Sequence, residues 1–126
     1  MRNLISLLKA AFSEDGSNKR RFENQIYAEF LKYLRQVSSG RRGAISRGHI
    51  LMFTTCTDEE PPLGFTIQPS ITFMEATAAG KFIPTANTCI CSLTLPHATH
   101  LIPLPAPDRL YSLYDYAFSN AFFGNI

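Results

Sequence analysis

The hydrophobic pattern of this 126-residue chain changes its period near the middle, and that change restricts the fold class. Apolar residues recur every four positions in the first half at Phe22, Ile26, Phe30 and Leu34. This spacing gives a helix one apolar face. From Phe65 onward apolar and polar residues alternate, which is typical of strands. We therefore predict an α+β fold, a small mixed domain in which a few-stranded sheet packs against helices.

Three other segments carry helical patterns. The first, which ends at the turn around Asp15-Gly16, has apolar residues at helical spacing: Leu4, Ile5, Leu7, Leu8, Ala11 and Phe12. In the second of these segments, Ser46 is predicted to cap a short helix. Asp108 is predicted to cap the last one, whose apolar positions are Leu110, Leu113, Tyr114, Ala117 and Phe118. We divide the chain into an N-terminal helical segment, residues 1–45, and a domain of residues 46–126, together forming one compact unit.

Extended structure is predicted in two places. Residues 65–73 alternate around Pro69, and because proline cannot donate to a strand ladder we expect an edge strand there. The residues after Cys89 alternate as far as Pro96 and predict a second strand. Residues 77–81 and the Pro-rich residues 97–107 are predicted to be loops.

Composition excludes several classes of protein. A formal net charge of +2 is too small to indicate nucleic-acid binding. No stretch approaches the roughly 20 apolar residues that span a bilayer. Lys9 interrupts the apolar run of residues 4–8 before it resembles the core of a signal peptide. Three cysteines are an odd number for a disulfide framework. We expect a soluble intracellular protein, cytoplasmic or nuclear, without a cofactor.

Cys89 is the first candidate for chemistry. It lies just before the predicted strand, at the end of a loop stiffened by Pro84, where a scaffold can present a nucleophile to a partner. Sulfur is intrinsically nucleophilic, so thioester exchange needs positioning more than it needs a strong base. The alternative is that Cys89 is a small buried apolar residue.

Other polar residues near Cys89 suggest weaker alternatives. Cys91 would share a strand face with Cys89, but structural zinc sites use four ligands with wider cysteine spacing, so we expect no metal and a Cys91 in the core. His97 and His100 are expected to be loop histidines. A Cys/His hydrolase would require one of them within hydrogen-bond reach of Cys89.

Residues 83–96 resemble the active-site signature of HECT-type ubiquitin ligases, Leu-Pro-x-Ala-x-Thr-Cys-x-x-x-Leu-x-Leu-Pro. Ile83 is the one departure from it. Upstream, residues 53–55 and 61–65 are similar to the family's Phe-x-Thr-Gly and Pro-x-x-Gly-Phe elements, with Cys56 at the position of the usual glycine. The ending from Phe123 is similar to the family's tail, which has phenylalanine fourth from the end. Residues 46–126 carry most of the resemblance.

This resemblance implies the catalytic C-terminal lobe of a ligase. Cys89 would accept ubiquitin from the thioester of a conjugating enzyme, and a lysine amine of a protein substrate would then attack the new thioester. The resemblance also implies that Thr88 supports the catalytic loop and that Phe123 anchors the tail. Asn87 and His97 complete the residues assigned to positioning of substrate and tail.

The chain departs from the family's pattern at some positions. Asn87 stands where many members have histidine, and asparagine cannot shuttle a proton. Many members end in an acidic residue, whereas this chain ends in Asn125 and Ile126. The chain is also too short for the larger lobe that recruits the conjugating enzyme, so we expect little activity from it alone. The alternative function is a non-catalytic module of the same fold that binds ubiquitin or another partner.

Overall fold

The structure is a computed structural model that describes residues 4–120. Within those residues the chain forms helices and strands in the order α1 (Leu4–Leu7), β1 (Lys9–Ala10), α2 (Asn18–Ser38), α3 (Arg47–Thr55), β2 (Ser70–Glu75), β3 (Thr85–Asn87), β4 (Ser92–His97) and α4 (Pro107–Ser119). The predicted α+β class, a small sheet packed with helices, is confirmed. Among these residues, none of the helices combines the length and the apolar character that crossing a membrane requires.

The four strands form one mixed sheet in the order β1-β2-β4-β3. β1 and β4 both pair in parallel with β2, whereas β3 pairs antiparallel with β4. The prediction of an edge strand near Pro69 is wrong, because β1 covers the side of β2 that would have been the edge. The strand also begins at Ser70 instead of Phe65. Pro69 has no amide hydrogen for the ladder, so regular pairing begins only after it.

The predicted first helix is also only partly present. It ends at Leu7, and the chain then extends to pair with β2 through Lys9 opposite Ser70 and Ala10 opposite Ile71. The amide of Lys9 donates to the carbonyl of Pro69 at 3.0 Å. Backbone pairing with a distant strand has overridden the local helical periodicity.

The long helix α2 confirms the prediction of a helix with apolar residues at every fourth position. Ile26, Phe30 and Leu34 are buried, and Ser17 caps the helix by accepting a hydrogen bond from the amide of Arg20 at 3.0 Å. The buried face meets an aromatic cluster contributed by α2, α3 and α4, in which ring centroids lie 5.2 to 6.5 Å apart: Phe30, Tyr33, Phe53, Tyr114 and Phe118. These contacts hold the three helices together.

Three side-chain pairs also join α2 and its following loop to α4. The hydroxyl of Tyr33 donates to Asp115 at 2.8 Å, and Arg42 forms an ion pair with the same carboxylate. The hydroxyl of Tyr111 donates to Glu29 at 2.8 Å. Side chains on both sides of the predicted boundary at residue 45 therefore contribute to one packed core, and the division into two segments stays a prediction.

The remaining helices begin close to where they were predicted. α3 follows Ser46, as expected. The last helix begins two residues earlier than predicted, since its N-cap is Ala106 instead of Asp108 and its first residue is Pro107. The prediction that Asp108 caps this helix is wrong. Proline suits the first helical position because its fixed φ matches the helix, and Asp108 then lies in the first turn, close to the positive end of the helix dipole.

Candidate active site

A tight turn of residues 88–91 joins β3 to β4 and carries Cys89. The amide of Ile90 donates to the carbonyl of Asn87 at 3.3 Å, and the amide of Cys91 donates to the carbonyl of Thr88 at 3.4 Å. The carbonyl of Cys91 in turn accepts from the amide of Ser70 at 3.0 Å. The turn is therefore fixed both to its own hairpin and to the first residue of β2.

Cys89 is exposed on this turn, and its thiol is free. The predicted placement of this cysteine on a loop before a strand is confirmed, and the alternative of a buried apolar residue is wrong. Upstream, Phe82 and Pro84 are buried, so the segment that leads into β3 is anchored in the domain. The arrangement gives a solvent-accessible nucleophile on a backbone held from both sides.

Asn87 contacts Cys89 directly. Its side-chain oxygen Oδ1 accepts a hydrogen bond from the amide of Cys89 at 3.1 Å, which closes an Asx turn over two residues. The sequence suggested only that Asn87 cannot transfer protons. Asparagine placed two residues before a turn residue is a recognisable signal for this backbone contact, and the sequence analysis missed it.

Thr88 is exposed next to Cys89 and contributes its carbonyl to the turn. The thiol of Cys91 lies 3.9 Å from that same carbonyl oxygen and can donate to it weakly. Both contacts of Thr88 with Cys91 thus use its backbone carbonyl.

Cys91 differs from its prediction. It lies in the turn with φ 52° instead of in the strand, and it is half-buried instead of in the core. A strand residue cannot have positive φ, so Cys91 and Cys89 do not share a strand face. Burial raises the pKa of the Cys91 thiol, and the nearby Cys56 raises it further. Cys91 therefore carries less thiolate at neutral pH than an ordinary cysteine.

His97 is placed away from Cys89. It is the last residue of β4, five residues beyond the first, and at about 3.3 Å per residue that puts it about 17 Å from the start of the strand. Its side chain is only 1% exposed, its Nδ1 lies 2.8 Å from the carbonyl of Ala98, and its ring stacks on Phe22. The expectation of a loop residue is wrong for His97 because the strand continues through it.

His100 is an exposed loop residue, as predicted, and its ring contacts the same Phe22 at 5.2 Å. Both histidines thus cluster at the far end of β4, and the geometry required by a Cys/His hydrolase is not met by either of them. Residues 4–120 contain no group of three or more potential metal ligands. Phe123 lies outside the described residues, as do Asn125 and Ile126.

One edge of the sheet lies beside the turn. β3 ends the strand order, so its outer backbone groups have no neighbouring strand in the described sheet. Cys89 follows the last residue of β3 by two positions, and Ile90 beside it is 53% exposed. An extended peptide added to this edge would run next to the thiol.

The model of the HECT-domain (ubiquitin-transferase) family matches residues 7–101, about three quarters of the chain and including Cys89. This chain belongs to the HECT-domain family. No curated protein gives a significant match to this sequence. HECT domains transfer ubiquitin and work with ubiquitin-conjugating enzymes, and this member of the family has a small α+β fold.

Proposed function

We propose that Cys89 accepts ubiquitin as a thioester from a conjugating enzyme and passes it to a lysine of a protein substrate. The observation that carries this proposal is the exposed free thiol of Cys89 on a turn fixed to β2, β3 and β4. Membership of a family of ubiquitin transferases supports the choice of ubiquitin.

The first step is a thioester exchange. The Cys89 thiolate attacks the carbonyl carbon of the ubiquitin thioester, a new C–S bond forms, and the C–S bond to the conjugating enzyme breaks with release of its thiolate. Such an exchange is nearly neutral in energy and depends mainly on bringing the two sulfurs to the same carbonyl.

The second step forms an amide. A neutral lysine amine of the substrate attacks the carbonyl of the Cys89 thioester, the C–S bond breaks, and Cys89 leaves as thiolate while the nitrogen loses a proton. Asn87 cannot accept that proton. We therefore propose that the substrate or solvent takes it up, and that transfer is slower than in members with an ionisable residue beside the cysteine.

The free edge of β3 supports a docking mode for ubiquitin. An extended C-terminal tail can add to this edge as a further strand, and its last carbonyl then lies near Cys89. We propose in addition that Thr88 supports the turn, that Phe123 anchors the tail of the chain, and that a larger lobe of the ligase recruits the conjugating enzyme. A reducing intracellular compartment, cytoplasm or nucleus, would keep the thiol of Cys89 free.

The experiment bypasses the conjugating enzyme. The purified chain is mixed with ubiquitin that carries a C-terminal electrophile, and the adduct is located by mass spectrometry in wild type and in Cys89→Ala, Cys91→Ala and Cys56→Ala. The proposal expects an adduct that is lost in Cys89→Ala alone. Labelling spread equally over the three thiols would refute it. Absence of labelling together with retained ubiquitin binding would instead favour the non-catalytic module.

A further inference from the structure

The amide of Cys89 has an acceptor that differs from those of its neighbours. The amides of Ile90 and Cys91 donate to backbone carbonyls, whereas the amide of Cys89 donates to the side chain of Asn87 at 3.1 Å. We infer that Asn87 is a positioning residue for the Cys89 nucleophile, acting through this Asx turn and not through proton transfer. The inference rests on the proposed function, because it names how the nucleophile of that reaction is held.

The two backbone carbonyls that precede Cys89 already accept hydrogen bonds. The carbonyl of Asn87 accepts from Ile90 and the carbonyl of Thr88 accepts from Cys91. Removal of the Asn87 side chain therefore leaves one turn amide, that of Cys89, without its acceptor. Since Cys89 is exposed, water replaces that acceptor. The hairpin then stays folded, but the backbone of Cys89 gains freedom.

This freedom bears on reaction rate. Reacting atoms must approach within about 3 to 3.5 Å in line, and small losses of orientation slow the reaction strongly. An amide oxygen holds the Cys89 backbone without placing a negative charge beside the thiol. A carboxylate at the same position would make the same hydrogen bond but would raise the pKa of the thiol through repulsion of the thiolate.

Three variants separate these effects. Asn87→Ala removes the acceptor, Asn87→Asp keeps an acceptor of the same length, and Asn87→Gln keeps the amide group but displaces it by one methylene. The rate of labelling of Cys89 by the ubiquitin electrophile is measured from pH 6 to pH 10. We expect Asn87→Ala and Asn87→Gln to react about 3- to 10-fold more slowly at every pH, the range that one hydrogen bond supplies.

The pH dependence of labelling in Asn87→Asp distinguishes a positioning role of Asn87 from a purely structural one. Asn87→Asp should react slowly at neutral pH and recover the wild-type rate at high pH, because its turn is intact and only the thiol pKa has risen. An equal rate in Asn87→Ala and wild type would overturn the inference. So would a loss in Asn87→Asp that matches Asn87→Ala at every pH.

A second measurement does not depend on ubiquitin. Hydrogen exchange at the Cys89 amide, followed by NMR, should be about 3- to 10-fold faster in Asn87→Ala than in wild type, with the amides of Ile90 and Cys91 much less affected. Equal exchange in the two proteins would refute the Asx turn itself. If wild-type Cys89 is not labelled but its amide shows this dependence on Asn87, the proposed function has failed and the turn has not.

Discussion

Replacement of Cys56 by glycine should stabilise the domain. Cys56 ends helix α3 with φ 65° and ψ 15°, in the left-handed region, and its amide donates to the carbonyl of Met52 at 3.0 Å. A residue with a Cβ atom in this region costs roughly 1–2 kcal/mol, because Cβ approaches the following carbonyl oxygen. Glycine does not bear this cost, and it is the usual residue at such helix ends.

The stability gained by Cys56→Gly is smaller than the full strain energy of the left-handed residue. Glycine also gives the unfolded chain more conformational freedom, which reduces the gain in stability by roughly 0.5–1 kcal/mol. The thiol is exposed, so little packing is lost with it. We expect Cys56→Gly to raise the free energy of unfolding by about 1 kcal/mol, equivalent to about 4 °C in Tm for a domain of this size.

Urea denaturation measures this change as a higher midpoint at an unchanged slope. Cys56→Ala is the matched control, since it removes the thiol but keeps Cβ, and its stability should equal that of wild type within about 0.5 kcal/mol. If glycine and alanine at this position are equally stable, the left-handed conformation of residue 56 is not the source of strain and the reasoning is refuted.

Two further predictions concern the buried tyrosines. Tyr114→Phe should leave the free energy of unfolding unchanged or raise it, because the Tyr114 hydroxyl is buried without a hydrogen-bond partner among residues 4–120. Tyr33→Phe should lower the free energy of unfolding by about 1–2 kcal/mol, because the hydrogen bond to Asp115 is lost. Urea denaturation of both variants measures these changes, and equal effects would contradict the prediction. Burial, followed by the hydrogen bond to Glu29, raises the pKa of Tyr111 to about 12. Because that pKa lies above the unfolded value of about 10, the stability contributed by Tyr111 is complete below pH 10 and is lost as the pH rises toward 12. In Glu29→Gln the tyrosinate absorbance assigned to Tyr111 should appear at lower pH, and an unshifted titration would contradict the assignment.

The elements that could be predicted from sequence depend on contacts close in the chain. The stripe of α2 is visible in the sequence because Ile26, Phe30 and Leu34 share a face through helical periodicity alone. The strand β1 was missed because Lys9 pairs with Ser70, 61 residues away, and no local pattern records that partner. The same holds for His97, whose place beside Phe22 follows from the packing of α2 on β4.

In the candidate site, too, the features set by neighbouring residues were predicted and the others were not. Cys89 was identified from a contiguous motif, and its exposure on a turn follows from local chain geometry. Cys91 was predicted to lie in the strand but is the last residue of the turn. Alternation of apolar and polar residues does not reveal that its backbone has positive φ. The proximity of Cys91 to Cys56 joins two segments that are far apart in the sequence.

Two hydrogen bonds at the start of β2 connect the turn that carries Cys89 to β1. Pro69 accepts from Lys9, and the next residue, Ser70, donates to Cys91. Two consecutive residues, Pro69 and Ser70, therefore connect β1 to the turn that carries Cys89. Loss of the pairing between β1 and β2 would therefore also loosen the hold of Ser70 on the Cys91 end of the turn.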